Sequence, residues 1–179
     1  MSPDPFKEGL AAARRGDYAT AERLWGALAE QGEARAQYNL GVLYANGQGV
    51  PRDYVSAVKW YTQAADQGFA PAQFNLGVLF SSDDGVPPDH AAALKWYRKA
   101  ADQGDTDAQF NIGVAYAMGQ GVTQDYVQAF TWYNRAAKAG HAQAAKTRDS
   151  IAAEMTRAQF AEVQELAREW DPRHFRQIP

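Results

Sequence analysis

The chain has 179 residues, a formal net charge of −3 and charged residues making up 22% of the whole, which leaves no basic stripe of the kind a nucleic-acid surface needs. There is no cysteine, so disulfides, thiolate metal sites and thiol nucleophiles are excluded, and no apolar run approaches the length of a membrane span. Met1-Ser2-Pro3-Asp4-Pro5 has neither a basic nor an apolar leader region. The expected compartment is therefore the cytoplasm for the sequence as it stands, or an exported, periplasmic one if a leader has been removed.

Residues 4–35 read as a shortened helical pair. Gly9-Leu10 opens it and Asp17-Tyr18 starts its second half, eight positions later. The next segment, 36–71, gives the full pattern. Leu40, Leu43 and Tyr44 stand three and four apart, which predicts a helix over 34–46. Asn46-Gly47-Gln48-Gly49-Val50-Pro51 breaks it, and Asp53 is placed to cap a second helix striped by Ala57, Trp60, Tyr61, Ala64 and Ala65. Gly68 ends that helix.

The same sentence returns over 72–107 and 108–143. Ala36-Gln37-Tyr38-Asn39-Leu40-Gly41-Val42 becomes Ala72-Gln73-Phe74-Asn75-Leu76-Gly77-Val78, then Ala108-Gln109-Phe110-Asn111-Ile112-Gly113-Val114. Between the first two copies 20 of 36 positions are identical, so the period is a property of the chain and predicts stacked helical hairpins. Small residues (Gly41, Ala57, Ala64, Ala65) allow backbones to approach, while Trp60 and Tyr61 fill the space between them. At 144 a fourth copy begins but loses its Asn-Leu-Gly centre. Residues 142–155 read as one helix, and Thr156 with Gln159 forms a capping box for another through Trp170. That last helix carries Arg157, Glu162, Glu165, Arg168 and Glu169 as a solubilising cap within 144–170, and 171–179 reads as a loose tail. The expectation is one all-α domain, 4–170, with helical caps at both ends.

At these residues the chain resembles the Sel-one-like repeat family, relatives of the tetratricopeptide repeat. The match runs Ala-Gln-Tyr-Asn-Leu-Gly-Val-Leu-Tyr, Gly-x-Gly-Val-Pro-x-Asp-Tyr, then Ala-x-x-Trp-Tyr-x-x-Ala-Ala-x-x-Gly, and the closing segment is similar to the terminal cap of many bacterial members. The resemblance implies a right-handed α-solenoid with a concave face lined by the first helix of each pair. It implies an adaptor that binds proteins rather than an enzyme. The β-lactam chemistry linked to some members belongs to cysteine-rich chains and is not carried over to this one.

A partner would meet the first helices at Arg35, Tyr38, Asn39, Val42, Ala45 and Asn46, then at Phe74, Asn75, Val78, Ser81 and Ser82, then at Asp107, Phe110, Asn111, Val114 and Met118. By resemblance, an asparagine at this place grips a peptide backbone, since one amide both donates and accepts. The plainer reading comes first: the recurring asparagine ties one hairpin to the next, and Tyr38, Phe74 and Phe110 pack between repeats. Such a face favours an apolar or extended peptide, with the protein acting as a monomer.

Gly47-x-Gly49 and Gly119-x-Gly121 follow helices rather than strands and lack Gly-Lys-Ser/Thr, so they read as turns, not phosphate loops. Asp83-Asp84-Gly85 with Asp89 lacks calcium-loop spacing. His90, His141 and His174 have no metal spacing, and nothing positions a base for Ser81 or Ser82. The expected reading is a scaffold without cofactor, metal or catalytic residue. The alternatives are a self-associating architectural module and an exported cell-wall-associated binder.

Overall fold

The computed structural model describes residues 4–83 and 85–169, the side chains through Leu166. Among them all regular structure is helical, in ten α-helices. They fall into two units, divided after Asp105.

In the first unit, α1 (Pro5–Arg14) pairs with α2 (Tyr18–Glu30), α3 (Ala34–Asn46) with α4 (Tyr54–Asp66), and α5 (Ala70–Ser81) with α6 (His90–Asp102). Successive hairpins join through α2 against α3 and α4 against α5. Second helices begin on an aspartate. Asp17 accepts from Thr20 N–H at 3.1 Å, Asp53 from Val55 and Ser56 N–H at 3.0 and 3.2 Å, and Asp89 from Ala92 N–H at 2.9 Å. Each satisfies donors that the first turn would otherwise leave bare. The Asp17 and Asp53 carboxyls are held below the ordinary range, chiefly by the hydrogen bonds from Thr20 and Ser56 respectively. At the other end of α3, Gly47 takes a left-handed conformation (φ 66°, ψ 38°) and donates to Leu43 O, a geometry that glycine adopts at little cost.

The core of this unit is built from small residues around a few large ones. Ala12, Ala21, Ala36, Ala57, Ala64 and Ala72 are fully buried, with Leu40, Leu43 and Leu76 as large side chains among them. The aromatic stripe divides its labour. Tyr61 is buried at 3% exposure, whereas Trp60 is half-buried with the Lys59 ammonium 5.2 Å from its ring. The shortened first hairpin obeys the same rule with Trp25 in the tyrosine place, its Nε1 donating to Phe6 O at 3.4 Å.

The second unit holds α7 (Thr106–Met118), α8 (Tyr126–Lys138), α9 (Ala142–Glu154) and α10 (Arg157–Glu169). α7 pairs with α8, and α9 packs on α8 where the next first helix would go. Only Ala144 and Ile151 of α9 are buried, so its remaining surface is polar or small. The capping box forms as the spacing predicts: Thr156 N–H donates to Gln159 Oε1 at 2.8 Å, and Gln159 N–H to Thr156 Oγ1 at 3.2 Å. α10 then returns to lie against α8, with Phe160 edge-on to Phe130 at 5.9 Å. The expected helix end at Trp170 and the tail 171–179 lie outside the described residues, as do the side chains of Arg168 and Glu169.

Candidate binding surface

In the first unit the expected surface residues lie on α3 and α5. The helical turn places Arg35, Asn39, Val42 and Asn46 on one face of α3. Arg35 is exposed, bonded to Glu33 at 2.7 Å, with its guanidinium 4.2 Å from the Phe6 ring centre. Asn46 is exposed and donates to Gln48 Oε1 at 3.4 Å. Tyr38 and Val42 are half-buried against the core of the α4–α5 layer, and the Tyr38 ring stands 5.8 Å from Tyr61 and 5.3 Å from Phe69. Phe74 likewise meets Tyr97 at 5.9 Å. Much of each ring is thus spent on packing between helices.

Asn75 hydrogen-bonds the Tyr61 hydroxyl across the α4–α5 boundary. Burial pushes that hydroxyl up to about 12, and the Asn75 bond only partly opposes the rise. Val78 on α5 is exposed at 38%, while Ser82 lies just past the helix end in extended backbone, its Oγ donating to Leu79 O at 3.4 Å. Ser81 Oγ donates to Val78 O at 2.9 Å and lies 3.1 Å from Tyr97 Oη.

In the second unit, Phe110 meets Tyr133 at 5.5 Å and stacks on His141 at 4.8 Å. His141 is tied at both nitrogens: Nδ1 accepts from Ala144 N–H at 3.0 Å, and Nε2 lies 3.1 Å from Asp107 Oδ1. Asn111 and Val114 are half-buried and Met118 is 68% exposed.

Charge separates the two helices of the three full-length hairpins, though not those of the first, where α1 and α2 are both charged. Along α3, α5 and α7 the only charged residues are Arg35 and Asp107, and both already have partners. Their mates α4, α6 and α8 carry Lys59, Lys95, Arg98, Lys99, Arg135 and Lys138 besides two aspartates. Among the described residues no three histidines or carboxylates gather as a metal site, and no helix is long and apolar enough to cross a membrane.

Sequence reading missed the buried glutamines. Gln37 and Gln73, 4% exposed, donate to Ala29 O and Ala65 O at 3.1 Å, reaching the last turn of the preceding helix. Each accepts in turn, from Gln67 and Gln103 Nε2 at 2.8 Å. The signal was the recurrence of Gln beside a buried Ala in every copy, in a stripe where polarity suggests the surface.

The family model described as the Sel1 repeat matches residues 34–69, 70–105 and 106–141. No match was found among curated proteins. Among solved structures, the chain is similar to a Sel1 repeat protein from Oxalobacter formigenes at 35% identity and TM-score 0.74, covering 80% of this chain and 62% of that one. It is also similar to c5321, a protective antigen of uropathogenic Escherichia coli strains displaying an SLR fold, at 28% identity and TM-score 0.53, covering 92% of this chain and 44% of that one. The chain therefore spans less than two thirds of either neighbour.

Proposed function

The chain belongs to the Sel1 repeat family, whose α-solenoid fold is generally associated with protein binding, and on that premise we propose that it is a non-enzymatic scaffold whose first helices α3 and α5 receive an extended, largely uncharged segment of a partner protein. The observation that carries this reading is the near absence of charge along α3 and α5, where Arg35 is the one charged residue and is already bonded to Glu33. A charged partner segment laid there would lose hydration and find no counter-charge to replace it, whereas an apolar or amide-rich segment would lose little. Exposed Val78 offers apolar contact, and Asn46 offers an amide that both donates and accepts. One copy of the chain binds one partner.

The test is site-specific photo-crosslinking in cells, with a benzophenone side chain at Val78 on α5 or at exposed Lys95 on α6. The expected result is a discrete protein adduct from position 78 and none of that mass from 95. Equal adducts from both positions, or none from 78, would overturn the reading.

A further inference from the structure

The second helices present a repeated outward place, filled by Ala19, Val55, Ala91 and Val127. In the second unit this place is covered from within. α10 packs on α8, Val127 is reduced to 5% exposure and Val163 of α10 to 7%, and Phe130 meets Phe160. The fold thus displays one occupant of the place: an amphipathic helix.

On α4 the same place is open. Val55 is 69% exposed, the highest value among the exposed large apolar side chains of the described residues. Ala19 and Ala91 are also exposed, but a methyl group offers little area to bury. Val55 has charged company as well. Arg52 holds its guanidinium 5.7 Å from the Tyr54 ring centre, and Lys59 its ammonium 5.2 Å from that of Trp60. The corresponding positions beside Val127 are Gln124 and Thr131, both neutral. The carboxylate that adjoins them in sequence, Asp53, is occupied by the N–H groups of Val55 and Ser56 and by Ser56 Oγ.

We propose that the outward face of α4 docks an amphipathic helix of a partner protein as α10 docks on α8, with an apolar anchor over Val55 flanked by acidic side chains that meet Arg52 and Lys59. Apolar contact at the centre supplies affinity, while the two cations select an acidic helix over a neutral or basic one. This surface is separate from the first-helix face, and each stands or falls without the other.

The probe is an acetylated peptide of residues 156–169, which carries Phe160, Val163 and Leu166 with Glu162, Glu165 and Glu169. It is titrated into the intact ¹⁵N-labelled chain, whose own α10 already fills the α8 place. Saturable shifts are expected at backbone amides 52–59. Val55→Glu should remove them, Val55→Ser should reduce them, and circular dichroism should be unchanged in both. Replacing the three peptide glutamates by glutamine should weaken binding several-fold. Shifts confined to α8 and α10, shifts indifferent to Val55→Ser, or no shifts at all would each overturn the proposal.

Discussion

The ring of Tyr61 occupies the space that a side chain at Gly41 would need: a Cβ built there would stand 2.5 Å from two ring carbons. The same closeness recurs at Gly113 and Tyr133, where the distance is 2.6 Å, and glycine likewise faces the aromatic ring at Gly77–Tyr97 and Gly9–Trp25. Glycine is therefore required in mid-helix by volume, against its poor helix propensity. Gly41→Ala should destabilise by about 1–2 kcal/mol. Overpacking a buried ring costs about 1–3 kcal/mol, and the alanine recovers about 0.5–1 kcal/mol of helix propensity. Gly26 supplies the opposite sign, since nothing lies within 4 Å of a Cβ placed there in the middle of α2. Gly26→Ala should stabilise by about 0.4–1 kcal/mol. Urea unfolding of the two variants checks both signs.

How much of this was legible follows from what each signal needs. Asp53, Gly47 and Gly68 act within a few residues of themselves, so the helix limits around 34–46 and 54–66 could be read directly. The capping box at Thr156 and Gln159 is local in the same sense. The partner of Gly41 is twenty positions away, and both Trp60 and Tyr61 fit a filler role, so only the packed structure separates buried Tyr61 from half-buried Trp60. On the candidate face, spacing placed Arg35, Val42 and Val78 on helix surfaces and favoured packing for Tyr38, Phe74 and Phe110, but it could not name the rings they meet, Tyr61, Tyr97 and Tyr133. The return of α10 onto α8 was also hidden, because amphipathicity says that a face is buried and not against what.

Gln73 holds the Ala65 carbonyl and accepts from Gln103, all in or beside a buried layer. Gln73→Leu keeps the volume but strands these groups, so a loss of about 1–3 kcal/mol is expected. Gln103→Ala, at an exposed position, should cost far less by itself. A double-mutant cycle between them should give a non-zero coupling energy, because the two amides share a hydrogen bond. Strict additivity would mean that the ladder is incidental.

Two tyrosines should titrate late. Burial pushes the hydroxyls of Tyr61 and Tyr133 up to about 12, against about 10 for an exposed phenol. The neutral form is the one the fold prefers, so their contribution is fully present below about pH 10. Above that, the unfolded chain releases protons that the native chain retains, and stability falls as pH rises toward about 12. Absorbance at 295 nm should resolve a delayed phase that includes these two tyrosines. Tyr61→Phe should remove one of them and flatten the alkaline decline in urea midpoint. A single phase for all nine tyrosines would contradict the burial of both rings.

Release of α10 should be local. The helix is started by its own capping box and contacts α8 through Val163 and Phe160, so little of the remaining fold depends on it. Thr156→Ala removes the acceptor for Gln159 N–H and should weaken the start of α10 by about 0.5–2 kcal/mol. Hydrogen exchange is the suitable measure, because sub-global opening appears there before it affects a global transition. Amides of α10 should exchange faster in the variant, with α3 through α6 unchanged. If instead every helix accelerates together, α10 is coupled to the whole chain, and its contact with α8 carries more of the fold's stability than two apolar anchors account for.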